Sequence, residues 1–179
     1  MTLWHAVLLL VAVPSTVWTP GSNKIANHFE AGSLPGLLSS AKRSYALRTS
    51  AKKNQALMVI LTRTGCAACQ NLKQSVNRGT KLRERLAEGN IVVAHAEGAA
   101  AAEWRVGVAA EAGYDPAVFF YPPWRNKHGD AEPLPIHGGS ENSPFFLHDE
   151  ETLLWAVDIA IGAVRDGKRG ADNPDSHEL

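Results

Sequence analysis

Two cysteines are the only ones in this chain of 179 residues, and they stand as Cys66-Ala67-Ala68-Cys69. A bridge between positions this close constrains almost no loop, so it adds little stability through chain entropy. The spacing serves reactivity instead. A thiolate at Cys66 can attack a disulfide in another molecule. Cys69, one helical turn on, can then attack the mixed disulfide and release the client. This chemistry requires Cys66 at the start of a helix, where backbone N–H groups and the helix dipole stabilise an anion. Thiols in such settings have pKa values of about 3.5 to 7.5, against about 8.5 for a free cysteine. The rival use of paired cysteines is structural zinc, which takes four ligands. One CxxC supplies two, and His95, His128 and His137 lack a matching spacing. No metal and no other cofactor is expected.

The elements that must position the pair can be read around it. Ala56 to Leu61 is a continuous apolar run that suits a central strand buried on both faces. Thr64-Gly65 breaks it, and Cys66 to Arg78 reads as a helix with Cys69, Leu72 and Val76 inward and Gly79 ending it in the left-handed conformation. Upstream, Leu37 to Lys53 reads as a helix with Leu38, Ala41, Tyr45 and Arg48 on one face. Downstream come a short helix over Thr80 to Glu88, a strand at Ile91 to Ala94 and an alanine-rich helix from Ala99 to Ala112. A third strand at Ala117 to Tyr121 ends at Pro122-Pro123, and Asn126 to Gly129 reads as a turn. Leu134-Pro135-Ile136 reads as an edge strand, where proline is tolerated. Asp149 caps a final helix with Leu153 or Leu154, Val157, Ile161 and Val164 inward, ending at Gly167. Alternating helices and buried strands indicate an α/β sandwich with a mixed sheet.

The formal net charge is zero, which gives no basis for expecting nucleic acid as a partner. Positive charges gather between Lys42 and Arg85, and acids predominate from Glu88 on. Residues 1–21 read as a signal peptide, with an apolar core from Ala6 to Val13 that is too short to span a bilayer. No second long apolar run follows, so no membrane span is expected in the mature chain. Residues 22–36 read as a connecting segment, 37–167 as the domain, and 168–179 as a flexible tail. The tail ends in Ser176-His177-Glu178-Leu179, which resembles the Lys-Asp-Glu-Leu and His-Asp-Glu-Leu retrieval addresses. Together these features predict the lumen of the endoplasmic reticulum, with secretion as the alternative, and a retrieval receptor as the partner of His177-Glu178-Leu179.

From about Ala41 to Gly167 the chain resembles the thioredoxin superfamily, and within it the small endoplasmic-reticulum proteins of the protein disulfide isomerase and anterior-gradient branch. The resemblance is carried by Leu57-Met58-Val59-Ile60, by Cys66-Ala67-Ala68-Cys69 with Leu72-Lys73, and by Tyr114-Asp115-Pro116 before Ala117-Val118-Phe119-Phe120. It implies a thioredoxin-like sandwich, with a central mixed sheet flanked by helices. It also implies a cis Pro116 facing the sulfurs, exposing the backbone of Asp115 so that a client pairs as an added strand. Two positions depart from the pattern. Gly65 stands where the family usually has tryptophan, and Ile60 where many members bury an acid. The activity this implies is a protein thiol–disulfide oxidoreductase acting on secretory clients. Cys66 and Cys69 are the catalytic, redox-active pair, and Gly65, Asp115 and Pro116 contact the client. The alternative is a client-binding adaptor on the same scaffold with little redox turnover.

Overall fold

The computed structural model describes residues 34, 35, 37–39 and 42–171, with side chains described as far as 167. The expected signal peptide, most of the connecting segment and the C-terminal address lie outside the described residues. Among the described residues four strands form one sheet: β1 (Leu37–Ser39), β2 (Ala56–Thr62), β3 (Ile91–Glu97) and β4 (Ala117–Tyr121). Their order across the sheet is β1-β3-β2-β4. β3 runs parallel to both β1 and β2, whereas β4 is antiparallel to β2. The helices are α1 (Arg43–Lys53), α2 (Ala67–Arg78), α3 (Lys81–Ala87), α4 (Ala99–Ala102) and α5 (Glu150–Ala171). This is a thioredoxin-like α/β sandwich with a mixed sheet.

All of β2 is buried because helices cover both faces of the sheet. Alternation along the strand divides its side chains between two cores. Ala56, Met58 and Ile60 join Leu72 and Val76 of α2, Leu82 and Leu86 of α3, and Leu153 and Val157 of α5. Leu57, Val59 and Leu61 join Ala46 and Leu47 of α1, Ala101 of α4 and the large side chains of Trp104 and Tyr121.

Several local expectations change. Leu37 to Ser39 is strand rather than helix, paired in parallel with Val93 to His95. An apolar period cannot anticipate that pairing. α1 therefore starts at Arg43, and its buried face is Ala46, Leu47 and Ser50, leaving Tyr45 and Arg48 exposed. The alanine-rich helix stops after Ala102. A 3-10 turn occupies Gly107–Glu111, and Gly107 has φ +58°. Trp104 lies between the two pieces, fully buried with its ring 5.5 Å from that of Tyr121, and this packing outweighs alanine's preference for helix. Leu134 donates its N–H to Phe120 O at 2.6 Å, yet no strand forms over 134–136. Pro135 has no N–H to extend a ladder, and Ile136 N–H turns back to Leu134 O. α5 runs past Gly167 to Ala171, and its inward stripe includes Ala156 and Ala160, with Ile161 half-buried.

Gly79 is extended, at φ −72° and ψ 130°, rather than left-handed. It is glycine because the Glu150 carboxyl occupies the space that a Cβ would fill. That carboxylate accepts the Leu82 N–H at 2.9 Å, and Glu150 N–H donates to Ser75 Oγ at 3.1 Å. The start of α5 is thereby tied to α2 and α3. Asp149 caps α5 as expected, accepting from Thr152 Oγ1 at 2.6 Å and Thr152 N–H at 2.8 Å. These bonds hold its carboxyl below the usual range. Gly79→Ala is expected to cost about 1–3 kcal/mol, because the methyl displaces Glu150 and leaves the Leu82 N–H without its acceptor. Urea unfolding checks this against Gly113→Ala, whose Cβ would meet nothing within 4 Å.

Candidate active site

β2, an inner strand, ends at Thr62, and the turn Arg63-Thr64-Gly65 redirects the chain into α2. Gly65 makes the turn with φ +73°, a backbone conformation that side chains other than glycine rarely adopt. Thr64 Oγ1 donates to Glu97 Oε1 at 2.7 Å, which fastens the turn to the end of β3. Cys66 is the N-cap of α2, extended at φ −87° and ψ 108°, and its Sγ accepts the Cys69 N–H at 3.1 Å. The sulfur therefore takes the place of the oxygen that usually caps a helix. The same N–H and the helix dipole stabilise negative charge on Cys66 when the pair is reduced.

Cys66 and Cys69 form a disulfide. Cys66 is 6% exposed and Cys69 2%. Neither is open to solvent over much of its surface, and Cys66 is the more accessible.

The segment before β4 faces the pair. The Asp115–Pro116 bond is cis, and Asp115 O lies 3.5 Å from Cys66 Sγ. In the oxidised pair the sulfur carries no proton, so this is a contact; in the reduced state a Cys66 thiol can donate to that carbonyl. The Asp115 carboxylate is held by Arg105 at 2.5 Å and by Arg63 at 3.9 Å. Arg105 also donates to Ala112 O and Tyr114 O, so one guanidinium fixes the whole approach to Pro116. Tyr114 accepts the Phe145 N–H through its hydroxyl at 2.8 Å. Burial pushes its phenol up, against that bond and the nearby charge of Arg105.

Of the five residues singled out in the sequence, Cys66 is joined to Cys69 by the disulfide and lies against the Asp115 carbonyl, and Cys69 and Pro116 are buried. Gly65 and Cys66 stand at the turn, Cys69 lies inward on α2, and Asp115 and Pro116 stand opposite. Arg105 was not anticipated, since its part depends on a fold-back of ten residues that no local pattern shows. Thr62 and His95 were not anticipated either. Both are 1% exposed, and Thr62 Oγ1 lies 2.8 Å from His95 Nε2. Alternation along β3 carried a signal, because it puts His95 on the face of Ile91 and Val93. Ile60 is fully buried and pairs in register with His95. Among the described residues, no group of three or more His, Cys, Asp or Glu side chains is placed to hold a metal ion. No described helix is long and apolar enough to cross a membrane.

No family model and no curated protein matches the chain. Among solved structures it is similar to the J-Trx1 fragment of ERdj5, at 15% identity and a TM-score of 0.41, over 73% of this chain and 53% of that one. The chain thus spans about half of that fragment. A thioredoxin from Thermus thermophilus is similar at 18% identity and a TM-score of 0.41, over 80% of this chain and 98% of that one. The thioredoxin-like description of this chain rests on its own strand order, with the Cys66–Cys69 disulfide at the start of α2 and a cis proline opposite.

Proposed function

We propose that the protein is a thiol–disulfide oxidoreductase acting on disulfides of secretory client proteins. The observation that carries this reading is the Cys66–Cys69 disulfide at the N-terminus of α2, its outer sulfur bonded by the Cys69 N–H and facing the Asp115 carbonyl. In the reduced protein the Cys66 thiolate attacks one sulfur of a client disulfide, and the other client sulfur leaves as a thiolate. Cys69 then attacks Cys66 Sγ, so the CxxC becomes the disulfide and the client leaves reduced. The same steps in reverse oxidise a client dithiol. Asp115 and Pro116 present backbone at which a client segment pairs while its sulfur reaches Cys66.

The proposed setting is the lumen of the endoplasmic reticulum. Support comes from the apolar N-terminal run and from Ser176-His177-Glu178-Leu179, whose last two residues match the retrieval addresses.

The test is insulin reduction driven by dithiothreitol. The wild-type chain is expected to shorten the lag before the insulin B chain precipitates, and Cys66→Ala to return it to the uncatalysed value. Gly65 and Ile60 favour a second reading, a client-binding adaptor, because the first offers no aromatic surface and the second no carboxylate. That reading gains if the wild-type lag equals the uncatalysed one while unfolded clients still bind.

A further inference from the structure

For Cys69 to attack the mixed disulfide its thiol must lose a proton, and it is 2% exposed, in surroundings that disfavour the thiolate. A buried acceptor removes that obstacle. Among the described residues, His95 is the one Asp, Glu, Lys, Arg or His that is buried. It is paired with Thr62, also buried. Both belong to the sheet face that α2 covers. Thr62 follows Met58 and Ile60 by alternation, and His95 follows Ile91 and Val93; these four apolar residues share a core with Leu72 and Val76 of α2. Cys69 stands on the same inward stripe as Leu72 and Val76, one turn nearer the end of β2 from which the helix leaves. Thr62 and His95 are the next residues along their strands in that direction.

We propose that Thr62 and His95 are a proton relay for the resolving thiol. This rests on the exchange reading above. With His95 neutral and its proton on Nδ1, Nε2 accepts the Thr62 hydroxyl proton, and Thr62 Oγ1 is the group that the relay assigns to receive the proton of Cys69. During resolution the Cys69 S–H proton passes to Thr62 Oγ1 as the Thr62 proton passes to His95 Nε2, leaving an imidazolium. The Cys69 electron pair forms the bond to Cys66 Sγ. The bond from Cys66 Sγ to the client sulfur breaks, and its pair leaves with the client thiolate, which takes a proton from water. When an external thiol reduces the CxxC again, Cys69 departs as a thiolate and recovers its proton from His95 through Thr62. The relay returns to its starting state.

Rapid-quench kinetics with oxidised glutathione as the probe separates the two steps: formation of the mixed disulfide at Cys66, and its resolution by Cys69. His95→Gln, which can still accept the Thr62 hydroxyl but holds no proton at neutral pH, is expected to slow resolution by about 10²-fold, within the range of well-placed general bases. Formation should stay within about twofold of wild type on the same grounds. Thr62→Val should behave like His95→Gln, and Thr62→Ser like wild type. Slow resolution should also carry a solvent deuterium isotope effect in the wild type. If folded His95→Gln resolves at the wild-type rate, or if both steps slow together, the relay is wrong. Should His95→Gln not fold, the Val and Ser variants at Thr62 decide: equal resolution rates overturn the relay. A wild-type protein that forms no mixed disulfide at all overturns the exchange reading itself, and the relay with it.

Discussion

Cys69→Ala is expected to accumulate mixed disulfides between Cys66 and its clients, visible as bands on non-reducing gels that vanish with reductant. Cys69 is adjacent to Cys66 Sγ in the folded chain, as their disulfide shows. A well-oriented intramolecular nucleophile acts at an effective molarity that reaches about 10⁵ M, whereas external thiols compete at millimolar concentrations. Without Cys69, the lifetime of the intermediate should rise by on the order of 10³-fold or more, limited only by those thiols. Cys66→Ala should give no such bands, because Cys69 is the less accessible sulfur and lies on the inward face of α2. Bands of equal intensity in the two variants would reverse or erase the assigned roles.

Ile60→Glu is expected to be the most destabilising of the changes considered, at about 3–5 kcal/mol near neutral pH. It removes a fully buried aliphatic side chain and puts a carboxyl in the core shared with Leu72 and Val76. Its pH dependence has a definite sign. Burial raises the folded-state pKa of the new carboxyl above the unfolded value of about 4.3. Below that unfolded value both states are protonated and the loss is smallest. As pH rises above it, the unfolded chain ionises first, and stability falls by about 1.4 kcal/mol per unit until the folded pKa is reached. Urea midpoints of the variant and the wild type, measured from pH 4 to pH 8, should therefore diverge upward. A constant difference would mean that the new carboxyl reaches water. Resolution by Cys69 gains at most severalfold from this change, because Thr62 and His95 already offer it an acceptor.

What could be read in advance followed the kind of signal each element leaves. β2, β3 and β4 are short apolar runs bounded by glycine, proline or polar residues, and burial on both faces makes such runs unmistakable. α2 and α5 carry clear stripes, and Asp149 marks the start of α5 by its chemistry. β1 left no such mark, since three residues joined by parallel pairing to β3 look locally like the first turn of the helix that follows. The alanine run misled for the opposite reason: local preference pointed to helix, and the burial of Trp104 ended it. Gly79 shows a third case, where its spacing suggested a helix stop and the reason for glycine is a carboxylate seventy-one positions away. The cysteine pair was legible because its meaning is local. The clamp of Arg105 on Asp115 and the pairing of Thr62 with His95 were not, because each joins residues that only the folded sheet brings together.

The edges of the sheet have a consequence for solubility. Unpaired strand edges template association with other chains, most of all when they are long, flat and apolar. Among the described residues β1 offers three, and beside β4 the chain returns through Leu134, Pro135 and Ile136, where proline cannot donate. If the protein acts on partly unfolded clients, as proposed above, it meets many strands seeking a partner. Blunted at both sides, this sheet gives them little to extend, and the backbone at Asp115 lies beside the sulfur that can act on them. Lengthening β1 or replacing Pro135 with a strand-forming residue would remove that discrimination, leaving a domain that captures clients along its edges and is drawn into their aggregates.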